Sequence, residues 1–373
     1  MPDIVKINAV EERDIAKLNA VDSANIVKVI GATKSAPGGA TATKWIAGAI
    51  NGKVCKSTDA DAGGNWAQIV DLGSGHGKGI AVGQDASENK RWVLHRRNPS
   101  EEISYVNDGL EDNLANWTEV NLSNNHIKRA DGGPSIAWGN DYWIGVGDDV
   151  AINPPPSDED VLFASSDGGN TWATVELPGQ QTNDTARVAC YKDNTTFFFT
   201  IQDQIWKTTA DPTDPNNWSM VKELDNSTSR DIMCMAYAGG GVDMWVCMDN
   251  TGGVFRSTDD WANAIGPVDL AFDPNCVIYC AGLVNLWVAC GDDGEIFTSP
   301  DGASWTLRPT PVSTPNPRKN LYSIATDNTT IVAVGAGGTV ITSTNGIDWS
   351  LIDTPFGAAM WSVSSDVIGV GMR

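Results

Sequence analysis

The chain has 373 residues, with 25 Lys and Arg against 47 Asp and Glu and a formal charge of −22. So acidic a chain repels phosphate backbones, which argues against nucleic acid as a partner. Its 41% hydrophobic content supports a large core and excludes a disordered chain, and no apolar run is long enough to cross a bilayer as a helix.

The first 35 residues repeat with a period of 11: DIVKINAV from Asp3, DIAKLNAV from Asp14 and NIVKVIG from Asn25. The repeat places apolar pairs at Ile4 and Ile7, Ile15 and Leu18, and Ile26 and Val29. An 11-residue period suits a slightly right-handed helical stripe, while the β-branched content suits short strands equally well. Either form is too short to bury its own apolar face, so these six residues are expected to dock on a partner. The bland alternative is an N-terminal arm with no role. The segment lacks the basic-then-apolar order of a secretory signal. DIAKLNAV resembles the repeated Asp-Ile-Ala-Lys-Ile-Asn-Gly-Val strings near the starts of bacteriophage tail and other virion proteins, with Ala20 where Gly is common. That resemblance implies a virion-docking arm.

From residue 36 onward a longer repeat takes over. A Trp closes a polar turn at Trp66, Trp117, Trp172, Trp218, Trp261, Trp305 and Trp349, at intervals of 43 to 55 residues. The clearest copies read FASSDGGNTW, IFTSPDGASW and VITSTNGIDW; weaker ones are VCKSTDADAGGNW, IWKTTADPTDPNNW and VFRSTDDW. The copy ending at Trp117 keeps little beyond its Trp and polar turn. In the last complete unit LYSIATDN reads as an inner strand, IVAVGAGG as a second, TVITST as a third and WSLIDTP as the outermost. Four short strands in about 45 residues make one propeller blade, so seven turns predict an all-β, seven-bladed β-propeller over residues 36–373. The first unit supplies only KWIAGAI, KVCKSTD and WAQIVDL and lacks an inner strand. MWSVSSD near the C-terminus aligns with LYSIATD and is expected to complete it, leaving VIGVGM unplaced.

The turn strings resemble the Asp-box (BNR-like) repeat of sialidases, sortilin-like receptors, some glycanases and a photosystem assembly factor. The resemblance spans roughly residues 40–373 and implies the fold rather than an activity. It implies a structural role for Asp167 and Asp301, each accepting hydrogen bonds from its own turn. The Arg-Ile-Pro string of sialidases is absent, so that family's catalytic residues do not carry over.

Candidate chemistry is sparse. Asp148-Asp149 and Asp292-Asp293 follow second strands and suggest a glycanase carboxylate pair, against which ordinary Gly-Asp-Asp turn chemistry is the simpler reading. His76, His95 and His126 lack zinc-like spacing, and there is no phosphate-cradling loop. The seven Cys fall mostly in apolar runs, as reduced core thiols of a chain made in a cytoplasm. No catalytic residue, metal or cofactor is singled out. The stretches HRRNPSEE (95–102) and GDDVAINPPPSDED (147–160) replace tight turns in blades two and three, making Arg96, Arg97, Asp148, Asp149, Asp158 and Asp160 candidate contact residues.

These readings converge on a non-enzymatic virion structural or adhesion protein of a bacteriophage, synthesised in the host cytoplasm. Its expected partners are other virion proteins, through the arm, and a host-surface glycan or receptor, with neither nucleic acid nor membrane. The alternative is a glycan-directed propeller, hydrolase or lectin.

Overall fold

The computed structural model describes residues 44–58, 66–73, 76–97, 102–122, 127–129, 135–149, 162–177, 186–193, 196–224, 230–281, 285–313, 318–352, 354 and 360–365. These form seven four-stranded antiparallel sheets arranged as the blades of a β-propeller. Blade 2 runs outward through His76–Gln84, Lys90–Arg97, Glu102–Asn107 and Thr118–Asn121. Blade 3 uses Ile136–Gly139, Tyr142–Val146, Leu162–Ser165 and Ala173–Thr174. Blade 4 uses Ala186–Tyr191, Phe197–Ile201, Gln204–Thr208 and Ser219–Glu223. Blade 5 uses Ile232–Ala238, Met244–Asp249, Gly253–Ser257 and Ile265–Asp269. Blade 6 uses Pro274–Cys280, Leu286–Gly291, Ile296–Ser299 and Thr306–Arg308. Blade 7 uses Leu321–Thr326, Ile331–Gly335, Val340–Ser343 and Ser350–Ile352.

Blade 1 joins the two ends of the described chain. Its inner strand is Met360–Ser365, followed by Trp45–Ala49, Lys53–Ser57 and Ala67–Asp71. Trp45 pairs with Ser365 and Ala47 with Val363, so the expected closure by the C-terminal strand is present. The closing strand is tied on both flanks: Val363 N donates to Ser323 Oγ of blade 7 at 3.3 Å, and Ser362 Oγ donates to Gly77 O of blade 2 at 3.0 Å. Inner strands also touch directly elsewhere, as where Cys190 Sγ donates to Met235 O at 3.4 Å.

The core lies between blades. Ile46, Val54 and Val70 of blade 1 pack with Ile80, Trp92 and Leu94 of blade 2, and the same sandwiching recurs around the ring. A second Trp series supports it. Trp45, Trp143, Trp245 and Trp287 are the first or second residue of second strands, each opposite the Ser that ends the third strand, and all are fully buried. The equivalent positions elsewhere are Phe197 and Ile331, and Arg91 in blade 2. This series, visible as WIAGA, WIGV, WVCM and WVAC, escaped the sequence reading, which followed only the turn tryptophans.

Candidate functional site

The repeat turns form the most regular polar feature, and they come in distinct designs. In blade 3 Asp167 Oδ1 accepts from Asn170 N at 3.0 Å and Thr171 N at 2.9 Å, while Asp167 Oδ2 accepts from Thr171 Oγ1 at 2.6 Å. Ser165 Oγ donates to Asp167 at 2.8 Å and accepts from Gly169 N at 2.9 Å. Trp172 Nε1 closes the turn by donating to Gly169 O at 3.1 Å. Blades 6 and 7 repeat this, with Trp305 donating to Gly302 O and Trp349 to Gly346 O. Partial burial opposes ionisation of Asp167, yet the bonds from Thr171, Ser165 and Asn170 hold its carboxyl below the usual range. The Ser304 and Ala303 amides draw Asp301 down to about 2. These carboxylates are occupied by their own turns, as the structural reading of Asp167 and Asp301 expects.

Two blades depart from that pattern. Trp117 of blade 2 donates to Glu111 O six residues back, across a 3₁₀ turn capped by Asn113. Trp218 of blade 4 does the same to Pro212 O, across a 3₁₀ turn capped by Asp214. Asn116 and Asn217 complete the match by donating to Leu110 O and Asp211 O. The copy ending at Trp117 is therefore an intact second turn type, and not an eroded one.

Trp261 of blade 5 requires a correction of register. Its amide donates to Ser257 Oγ at 2.9 Å, the contact made by Gly169 in blade 3. Its φ of 70° lies beside the 86°, 66° and 69° of Gly169, Gly302 and Gly346. Trp261 thus occupies the glycine position, and Ala264 stands where the other turns have Trp. The displaced indole is fully buried with Phe198, Ile205 and Trp245 between blades 4 and 5.

Cations of one blade grip the turn of the next. Lys44 reaches Asp108 and Glu111 at 2.6 Å each, and Lys56 reaches Asp112 at 2.5 Å. Arg91 Nη1 donates to Gly168 O at 2.7 Å and Asn170 Oδ1 at 2.8 Å in the blade 3 turn. Lys192 and Lys207 converge on Asp260 at 2.7 and 2.8 Å, joined by Trp245 Nε1 at 3.1 Å. Burial works against the Asp260 charge, but the two ammonium groups and the indole outweigh it and bring its pKa to about 2.

On the opposite face, the candidate contact residues separate. Arg96 is not a loop residue: its strand continues to Arg97, and its side chain is 1% exposed. Its guanidinium donates to Ser104 Oγ, Leu72 O, Glu102 and Glu119, which corrects its assignment to an exposed contact surface. Arg97 ends the same strand. Asp148 and Asp149 form a short strand paired with Ile127–Arg129 and so are no tight Gly-Asp-Asp turn, whereas Asp292–Gly294 is one. Asp292 accepts from Asn275 at 2.9 Å, and Asp293 pairs with Arg318. The structure therefore does not place these two acid pairs in matching surroundings. Asp158 and Asp160, and the arm residues Ile4, Ile7, Ile15, Leu18, Ile26 and Val29, lie outside the described residues.

The seven thiols are buried; burial pushes Cys55 and Cys280 up to about 12 and Cys276 to about 11, which keeps them protonated and unreactive. Among the described residues, no three His, Cys, Asp or Glu side chains are grouped to hold a metal ion.

No family model matches the chain, and no curated protein matches it by sequence. Solved propellers match it in fold. YCF48 from Cyanidioschyzon merolae is similar with a TM-score of 0.52 at 12% identity, over 78% of this chain and 88% of that one. YCF48 bound to D1 peptide is similar with a TM-score of 0.51 at 15% identity, over 82% and 91%. A provisionally assigned 6-phosphogluconolactonase from Bacteroides fragilis reaches 0.56 at 10% identity, over 87% and 98%. Such likeness establishes the propeller and leaves the activity open.

Proposed function

We propose that the chain is a non-enzymatic structural or adhesion protein of a bacteriophage virion, attached through residues 1–35 and presenting its propeller as a binding platform. The observation that carries the reading is the division of labour in the sequence. The ring closes by pairing Trp45–Ala49 with Met360–Ser365, and the three apolar pairs repeated every 11 residues lie upstream of both strands. An apolar series outside the strands that close its ring is suited to another protein surface. The likeness of that repeat to virion proteins supplies the kind of partner. The resemblance of the turns to Asp-boxes supports a scaffold role for their acids, and the D1 peptide complex of YCF48 supports the capacity of this fold to hold a protein segment. The test is immunodetection of the protein in gradient-purified particles. A stoichiometric band is expected, and its absence from particles of the producing phage would refute the proposal.

A second reading, a glycan-directed propeller, is favoured by the grouping of Asp273, Asp293 and Glu295 beside Asp292, where burial and the charges of Asp293 and Asp273 raise the Glu295 carboxyl. It requires release of free sugar from a polysaccharide panel, abolished by Asp292→Asn. Sugar binding without release fits adhesion instead.

A further inference from the structure

The circumference of the ring holds a cleft of about 560 Å³ between the outermost strands of blades 1 and 2, lined by Asp71, Leu72, Gly73, Leu114, Trp117 and Glu119. Its floor is apolar, with Leu72 and Trp117 at 8% and 7% exposure, and Leu114 stands at the lip, 53% exposed. Charge is layered beneath and around it. Arg96 is buried under the floor, bonded to Leu72 O at 3.1 Å and to Glu119 at 2.5 Å. Arg96 thus answers two carboxylates, Glu102 and Glu119, with a single charge, which leaves the cluster net negative, while Glu119 is 49% exposed and Asp71 faces solvent. Lys53, opposite Asp71 in the strand register, is the neighbouring counter-charge. Ala67–Asp71 ends its sheet, so its outer backbone edge has no strand partner among the described residues.

We infer that this cleft docks an extended segment of a partner protein that turns toward it an apolar side chain and, two residues on, a Lys or Arg, the residues between facing away. The apolar side chain lies on Leu114 and Trp117, and the cation sits between Asp71 and Glu119. The segment's backbone runs along the free edge of Ala67–Asp71 as an added strand. A second copy of this chain is disfavoured because two surfaces of a −22 protein repel. The inference is independent of how residues 1–35 attach.

The probe is a fluorescein-labelled, acetylated Val-Ser-Lys-Ser-Val peptide, which turns both Val and the Lys to one face of a strand, titrated by anisotropy against the full chain, with Val-Ser-Glu-Ser-Val as its counterpart. The Lys peptide is expected to bind and the Glu peptide not to. Leu114→Glu removes the apolar lip but adds negative charge, so unspecific attraction would tighten binding, whereas docking in the cleft weakens it about tenfold. Leu351→Glu, at an equally exposed position on blade 7, is expected to leave the affinity within about twofold. Unchanged melting of each variant establishes that the ring is intact. Failure of the Lys peptide to bind, tighter binding to the Leu114 variant, or equal weakening by both variants would overturn the inference.

Discussion

Asp260 shows how much of this ring is decided by single side chains. Three donors from two blades hold its carboxyl at about 2, against about 3.9 for an Asp in an unfolded chain. A depressed folded value means that the contribution is complete above about pH 4 and fades as the pH falls toward 2. Asp260→Asn is therefore expected to cost about 1–3 kcal/mol near neutrality, because Lys192 and Lys207 lose their charged acceptor. The gap in denaturant midpoint between wild type and variant should narrow steadily below about pH 4. A gap that is constant from pH 6 to pH 3 would mean that the pair is not coupled to folding. At this scale the sequence was only partly legible. The turn roles of Asp167 and Asp301 follow from local spacing. Arg96 does not, because nothing in HRRNPSEE marks where the strand ends, although the run from Trp92 is compatible with its continuation to Arg97.

At the scale of the element, turn design predicts how each Trp responds to truncation. Trp261 is fully buried at a blade interface, whereas Trp172 and Trp305 are only partly buried over their turns. Trp261→Ala is expected to cost about 3–5 kcal/mol, the range for a large aromatic lost from a core. Trp172→Ala should cost less, about 1.5–3 kcal/mol, because part of its surface is already in water. Equal losses in equilibrium denaturation would contradict the shifted register of blade 5. The shift has a sequence signature that interval counting conceals. Trp261 falls four residues after Ser257, while Trp305 falls six after Ser299 and Trp172 seven after Ser165. The strands themselves were readable because each is a short apolar run closed by Gly, Asn or Asp. The match between the turns of blades 2 and 4 was not, because it rests on carbonyl acceptors that carry no side-chain signal.

For the whole molecule, closure was legible because the first unit lacked a strand and the tail offered one of matching pattern. Removing residues 360–373 should expose the edge of Trp45–Ala49 and break the contacts to Ser323 and Gly77, giving aggregation or a broad, non-cooperative melt. A truncated chain that melts like the intact one would dismiss the closure. The attachment of the molecule is a separate matter from its folding, and it is where the proposed function is most exposed to test. The direct measurement is the copy number of a variant lacking residues 1–35 in purified phage particles, beside the melting curve of the same variant. The account predicts a propeller that melts as the full chain does yet is lost from particles, with Ile4→Asp, Ile15→Asp and Ile26→Asp together reproducing the loss because each buries an unpaired charge in the contact. Particles that retain the armless propeller at the full copy number would contradict it and move the attachment to the ring itself.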